Sequence, residues 1–238
     1  MFKQQLGQGT AEPLIQGPED EMSAKLSPDG NWILYESISH DLGGAPPTTT
    51  RLMRLPALGG TPEKVMDLGE NDSDFGCPSQ SGTSCVLGRS EQGQLVFYAM
   101  DPVRGLGKEL ARTKLGPPAD WSISPDGLRI AISGWDQLPE KVRVLDLRNG
   151  TERTLPLPHG WILWAHDWAA DSNALFAAAQ SKSTGYMIVR IELDGKISVL
   201  LDRGRSQWLG SPCPSPDGRH LAFSQQTFEN NAWLLENF

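Results

Sequence analysis

Cysteine is scarce in this chain: three residues, Cys77, Cys85 and Cys213, in a sequence of 238. That excludes a scaffold built on disulfides, which needs a far denser set of pairs. Long apolar runs are missing too. Nowhere do about 18 apolar residues follow one another, as a membrane-spanning helix requires. The opening Met1-Phe2-Lys3-Gln4-Gln5-Leu6 lacks the apolar stretch of about 7 to 15 residues found in a secretory signal. The expectation is a chain without an export signal or membrane span of its own. It would be cytoplasmic standing alone, and extracytoplasmic as the tail of a membrane-anchored sensor. Positive charge is the third shortage. The formal net charge is -8 and Lys and Arg nowhere cluster, which weighs against a nucleic-acid binder. Also lacking are a Gly-x-Ser-x-Gly elbow, a His-Glu-x-x-His helix and a P-loop, and Gly7-Gln8-Gly9 has neither the third glycine nor the preceding strand of a dinucleotide fingerprint.

Turn residues are abundant instead, with 25 Gly and 18 Pro. The apolar fraction is only 38%, so the core residues must be concentrated in short runs, which suits an all-β protein. The tetrapeptide Ser-Pro-Asp-Gly occurs three times, at Ser27 to Gly30, Ser124 to Gly127 and Ser215 to Gly218. Its aspartates Asp29, Asp126 and Asp217 are 97 and 91 residues apart, and degenerate copies stand halfway, at Ser79-Gln80-Ser81-Gly82 and Ala170-Asp171-Ser172. Five units of about 46 residues follow from this period, approximately 19–68, 69–112, 113–157, 158–202 and 203–238.

In each turn Pro presets one φ, Asp tolerates the next, and Gly supplies the positive φ that re-enters a sheet. The runs Ile33-Leu34-Tyr35, Ile130-Ala131-Ile132 and Leu221-Ala222-Phe223 then read as buried strands, too short for helices. A further strand follows in every unit, as in Leu52-Met53-Arg54-Leu55, Leu95-Val96-Phe97-Tyr98, Val142-Arg143-Val144-Leu145, Met187-Ile188-Val189-Arg190-Ile191 and Trp233-Leu234-Leu235. Glycines lead the first four units to a last strand, at Val65-Met66, Leu110, Leu155 and Val199-Leu200. Four strands per unit is the blade of a β-propeller. Ala169 to Gln180 favours helix by propensity, but Leu175-Phe176-Ala177 falls in register with Ile130-Ala131-Ile132 and is read as strand. The fifth unit stops after its third strand. Residues 11–15 read as an outer strand that could close the ring from the N-terminus. Met1 to Leu6 also looks like a third strand, which suits a chain that continues an earlier blade. The expected fold is thus an all-β propeller of about five four-stranded repeats, either closed five-bladed or a fragment of a six- to eight-bladed ring.

These units resemble TolB-type, WD-like β-propeller repeats, whose signature is the Ser-Pro-Asp-Gly turn followed by a hydrophobic strand; the second and fourth units have lost the Pro. The ending Asn231 to Phe238, and Cys77, Cys85 and Asp101-Pro102 before Gly105 and Gly107, are similar to the C-terminal propellers of certain bacterial serine/threonine kinases and winged-helix transcriptional regulators. The resemblance implies a sensor or interaction module without catalytic residues, cofactor or metal. The alternative is a propeller-fold hydrolase or the propeller gate of a peptidase.

Several residues invite chemistry. Asp74-Phe75-Gly76 matches the metal-binding triplet of protein kinases, but no Gly-rich loop, strand lysine or His-Arg-Asp loop precedes it. Asp29, Asp126, Asp171 and Asp217 occupy equivalent turns, either as an attractor of cations or because the turn itself needs Asp. A three-residue loop Gln80-Ser81-Gly82 would set Cys77 across from Cys85, close enough for a redox-sensitive staple; a four-residue loop would leave two packed thiols, and Cys213 is unpaired either way. Trp161, Trp164 and Trp168, with His159 and His166 among them, form either an aromatic binding surface or blade core. The His spacing of seven with no third ligand disfavours a metal site. The partner is expected to be a protein or small molecule.

Overall fold

In a computed structural model of the chain, residues 1–5, 7–39, 49–80, 82–113, 120–134 and 138–227 are described. Among them every regular element is a strand. A short hairpin comes first, β1 (Phe2–Lys3) with β2 (Glu12–Pro13). It is the pairing that the structure shows within residues 11–15, a local one with the N-terminus.

Four sheets of four strands follow. They are β3 (Asp20–Leu26), β4 (Trp32–Ser39), β5 (Thr49–Pro56) and β6 (Glu63–Leu68); β7 (Asp72–Gly76), β8 (Cys85–Glu91), β9 (Gln94–Asp101) and β10 (Gly105–Thr113); β11 (Asp120–Ile123), β12 (Arg129–Gly134), β13 (Leu138–Asp146) and β14 (Glu152–Pro156); and β15 (Trp161–Trp168), β16 (Ala174–Ser181), β17 (Gly185–Glu192) and β18 (Ile197–Asp202). Within each sheet the strands are neighbours in chain order. A fifth sheet pairs β19 (Gln207–Pro214) with β20 (Leu221–Thr227). Trp233-Leu234-Leu235 and the rest of Asn231 to Phe238 lie outside the described residues, as do Leu6 and Ser81. Consecutive four-stranded meanders are the blades of a β-propeller, and that is the fold.

The Ser-Pro-Asp-Gly turns are built alike. In the second, Ser124 N–H donates to Arg129 O at 2.8 Å and Gly127 N–H to Ser124 O at 2.8 Å. The Ser124 hydroxyl donates to Asp126 and accepts Arg129 N–H at 2.9 Å, while Asp126 accepts Leu128 N–H at 3.0 Å. The turns at Ser27 and Ser215 repeat every one of these bonds. In the degenerate copy Asp171 still accepts Asn173 N–H at 3.0 Å, but Ala169 replaces the serine and Ser172 adopts the glycine's left-handed backbone at φ 58°.

The chain divides into two compact units, one of Met1–Pro117, Ile123–Ile130 and Leu145–Thr151, the other of Pro118–Ser122, Ala131–Val144 and Glu152–Phe238. In the first, Leu34, Leu52, Phe75, Cys85, Leu87 and Met100 form a buried cluster. In the second, Val142, Leu163, Trp168, Leu175, Met187 and Val189 belong to another. Ala174, Ala177, Ala178 and Ala179 on β16 are all fully buried. One face of β16 meets the cluster around Trp168 and the other meets Ile188 and Leu209. Small side chains on a doubly covered strand explain why this alanine-rich segment is extended despite its helical propensity.

Candidate functional site

Alternation along β15 decides what its aromatic residues can do. Leu163 lies opposite Ala179 and Ala165 opposite Ala178, so Trp164 is the extra residue of a β-bulge. Trp161 and Trp164, three residues apart, take opposite faces by alternation alone, and the bulge parts Trp164 from His166 and Trp168. Trp161 packs on the cluster around Trp168, half-buried beside Leu193 and Ile197. Trp164 faces the other way, toward Ile188 and Leu209. There its ring stacks on Trp208 at 6.1 Å with planes 16° apart, and meets Tyr186 edge-on at 5.5 Å. Its indole N–H donates to Leu209 O at 2.8 Å, so both the polar and the apolar part of the ring are fixed. Trp164, Tyr186 and Trp208 remain half-buried, with Ile162 of the same strand 44% exposed. Trp208 and Tyr186 are partners that sequence reading missed; the repeat period was the available signal, since Trp208 follows Trp164 by 44 residues.

His166 is not on a surface: its side chain is fully buried. Its Nδ1 lies 3.0 Å from Asp120 Oδ2 and 3.2 Å from Ser133 Oγ. Burial, the largest influence, lowers the imidazole pKa, but the Asp120 carboxylate together with the Ala131 backbone and Asp167 outweighs it and the net shift is upward. Ser, His and Asp here do not make a nucleophilic triad. Hydroxyl and carboxylate share one ring nitrogen, whereas the triad needs them on opposite nitrogens. Trp168 is buried as well, its indole donating to Ser122 O at 3.0 Å. His159 lies apart, in the exposed turn before β15.

The first unit holds a cavity of about 250 Å³ lined by Glu36, Thr50, Glu70, Asp72, Ser73 and Asp74, with Ile38, Leu68 and Leu87 as its apolar part. Asp72 is neutralised by Arg89 at 2.6 Å and accepts Gly69 N–H at 2.8 Å. Burial, with Asp74 adding repulsion, pushes the Glu36 carboxyl up to about 7. Among the described residues no group of three or more acidic, His or Cys side chains has metal-holding geometry. Asp74 also accepts Phe75 N–H at 2.7 Å, and Phe75 is core; the Asp-Phe-Gly triplet is part of strand β7. At the end of that strand Gly76 pairs with Val86, which brings Cys77 to Cys85, and their sulfurs are bonded at 1.99 Å.

The turn aspartates are taken up locally. Asp126 and Asp217 each meet an arginine of their own turn, Arg129 at 3.1 Å and Arg219 at 2.7 Å. The Ser215 hydroxyl, with Arg219, holds Asp217 down to about 2.

Sheets, turns and core define a β-propeller. No family model and no curated protein sequence matches the chain. Solved structures do. TolB from Acinetobacter baumannii is 17% identical, with TM-score 0.67 over 92% of this chain and 54% of its own. A chain of the nidogen/laminin complex is 15% identical, with TM-score 0.64 over 90% and 75%. An oligogalacturonate lyase in complex with manganese is 14% identical, with TM-score 0.59 over 87% and 59%. The chain therefore spans little more than half the length of the TolB and lyase chains. At these identities the likeness is one of fold.

Proposed function

We propose that this chain is a non-enzymatic binding module that recognises a protein through aromatic side chains, and that it is the sensor or interaction part of a bacterial signalling protein. The carrying observation is the half-buried stack of Trp164 on Trp208 with Tyr186 at its edge. Large rings already fixed by packing and an N–H bond lose little freedom on binding, which is what makes Trp and Tyr binding hot spots. Trp161 and buried His166 support β15 in this reading rather than touching a partner. The charge of -8 favours partners other than nucleic acid. The coarse reading, a protein-binding propeller, draws support from the TolB, WD40 and nidogen folds; the lyase is an enzyme on the same fold.

The test is selection of a random 12-residue peptide library on the folded chain. Selected peptides should lose about tenfold or more in affinity on Trp164→Ala or Trp208→Ala, with unchanged circular dichroism. Failure to enrich any peptide, or enriched peptides indifferent to both substitutions, would overturn the reading. For the signalling role, the parent reading frame should encode a kinase or winged-helix domain upstream. An α/β-hydrolase domain downstream would favour the peptidase gate instead.

A further inference from the structure

Beyond the bonded pair Cys77 and Cys85, Pro78, Gln80 and Thr83 of the β7–β8 connection dock on the second Ser-Pro-Asp-Gly turn. The Gln80 N–H donates to Pro125 O at 3.1 Å, and the Thr83 hydroxyl to Gln80 O at 2.7 Å. The side chains of Pro78 and Thr83 fill the hollow left by Gly127. A Cβ there would stand 2.9 Å from Thr83 Cγ2 and 3.4 Å from Pro78 Cγ. At the other end Cys85 is fully buried among Leu34, Leu52, Phe75, Leu87 and Met100, and half-buried Cys77 packs on the same cluster. Pro78, Gln80 and Thr83 are thus held at two places, by the covalent pair and by the second Ser-Pro-Asp-Gly turn.

We propose that the Cys77–Cys85 bond is the latch of a redox-responsive clasp: bonded, it keeps Pro78, Gln80 and Thr83 seated on Pro125 and Gly127; reduced, it lets them leave. A single backbone hydrogen bond exchanged against water contributes little net stability. Seating therefore depends on the narrow set of conformations that the closed loop allows. The reductant is a dithiol. Its thiolate attacks Cys77 Sγ, the more accessible sulfur, forming a mixed disulfide as the Cys77–Cys85 bond breaks and its electron pair passes to Cys85 Sγ, which takes up a proton. The second thiol then displaces Cys77 and the reductant departs as its own disulfide, having given two electrons and two protons. The leaving thiolate forms in apolar surroundings, which slows its departure, so monothiols act poorly and dithiols well. The clasp closes only where a disulfide oxidant reverses these steps.

Amide hydrogen exchange at Gln80 tests the clasp in the full chain, with the exposed Cys213 replaced, Cys213→Ser. Dithiol reduction should speed Gln80 exchange about tenfold or more while the amides of β9 keep their rates. Gly127→Ala, with the bond intact, should free Gln80 as well, because the added Cβ meets Thr83 and alanine strains the left-handed backbone, φ 70°, of the turn that presents Pro125. Equal Gln80 rates in the two redox states would overturn the proposal. So would β9 amides that accelerate as much as Gln80, since the bond would then serve only global stability. Two free thiols in the unreduced native protein, by mass spectrometry, would end it as well.

Discussion

A serine hydroxyl does two jobs in each Ser-Pro-Asp-Gly turn, donating to the aspartate and accepting the N–H that opens the next strand. Burial decides how much that is worth. Ser124 is fully buried, whereas Ser215 is half-buried in an otherwise exposed turn. Removing the hydroxyl at Ser124 strands the Arg129 N–H away from water, and such a group costs about 1–3 kcal/mol. Water can replace the hydroxyl at Ser215. Ser124→Ala should therefore lower unfolding stability by about 1–3 kcal/mol, and Ser215→Ala by about 0.5 kcal/mol or less. Urea titrations of the two variants check this; equal losses would show that the turns do not differ by burial. The same geometry accounts for the aspartates. The Ser27 hydroxyl, then the Asn31 N–H, hold Asp29 below its ordinary range, and at Asp126 burial works the other way but is overcome by Ser124, Leu128 and Arg129.

At the scale of the strand, β16 sets local propensity against packing, and packing decides. Valine is a better strand former than alanine. Ala178, however, is fully buried with Ile188 and Leu209, and Trp164 and Tyr186 pack on the same cluster. Two added methyl groups have nowhere to go, and overpacking of this kind costs about 1–3 kcal/mol. Ala178→Val should therefore lower the urea midpoint, and a midpoint unchanged or raised would mean that propensity governs this strand. The strands were legible because turn chemistry is local and repeats: three copies of one tetrapeptide, each closing on its own serine and aspartate, mark every second blade. The site was much less legible. Whether Trp164 and His166, two residues apart, share a face depends on the bulge at Trp164, which changes the face without changing residue type. His166 meets Asp120 from 46 residues away, and the cavity joins Glu36 of β4 to Asp72 and Asp74 of β7. The first spacing is one repeat period, the same signal that links Trp164 to Trp208, whereas the cavity joins residues of different sheets at offsets that match no period.

Across the whole molecule, these individual environments add up to a dependence of stability on pH. Glu36 has its folded pKa raised to about 7 from the ordinary 4.5, so folding takes up a proton between those values. Its favourable contribution is complete below about 4.5 and is lost as pH rises through about 7. His166, also raised, acts in the same sense: its contribution is complete below the ordinary 6.5 and is lost as pH climbs through the higher folded value. Asp29, Asp126 and Asp217 have lowered values, so their contribution is present above the ordinary 3.8 and is lost as pH falls toward the folded pKa, about 2 for Asp217. The two sets leave a maximum on the acid side of neutrality, and growing self-repulsion in a chain of net charge -8 steepens the alkaline decline. Stability in urea should be highest at about pH 4 to 4.5, between the ordinary aspartate and glutamate values, and fall measurably by pH 8.5. Glu36→Gln separates the causes. Its amide cannot ionise, so at pH 8.5 the variant should be more stable than wild type by up to about 1 kcal/mol once solvent screening of this partly exposed group is allowed for. At pH 4.5 the two should nearly coincide, because the wild-type carboxyl is then protonated in the folded state and only half ionised in the unfolded one. A wild-type stability that is flat or rising between pH 5.5 and 8.5 would remove the argument. A Glu36→Gln advantage equal at both pH values would assign the effect to packing in the cavity instead of to ionisation.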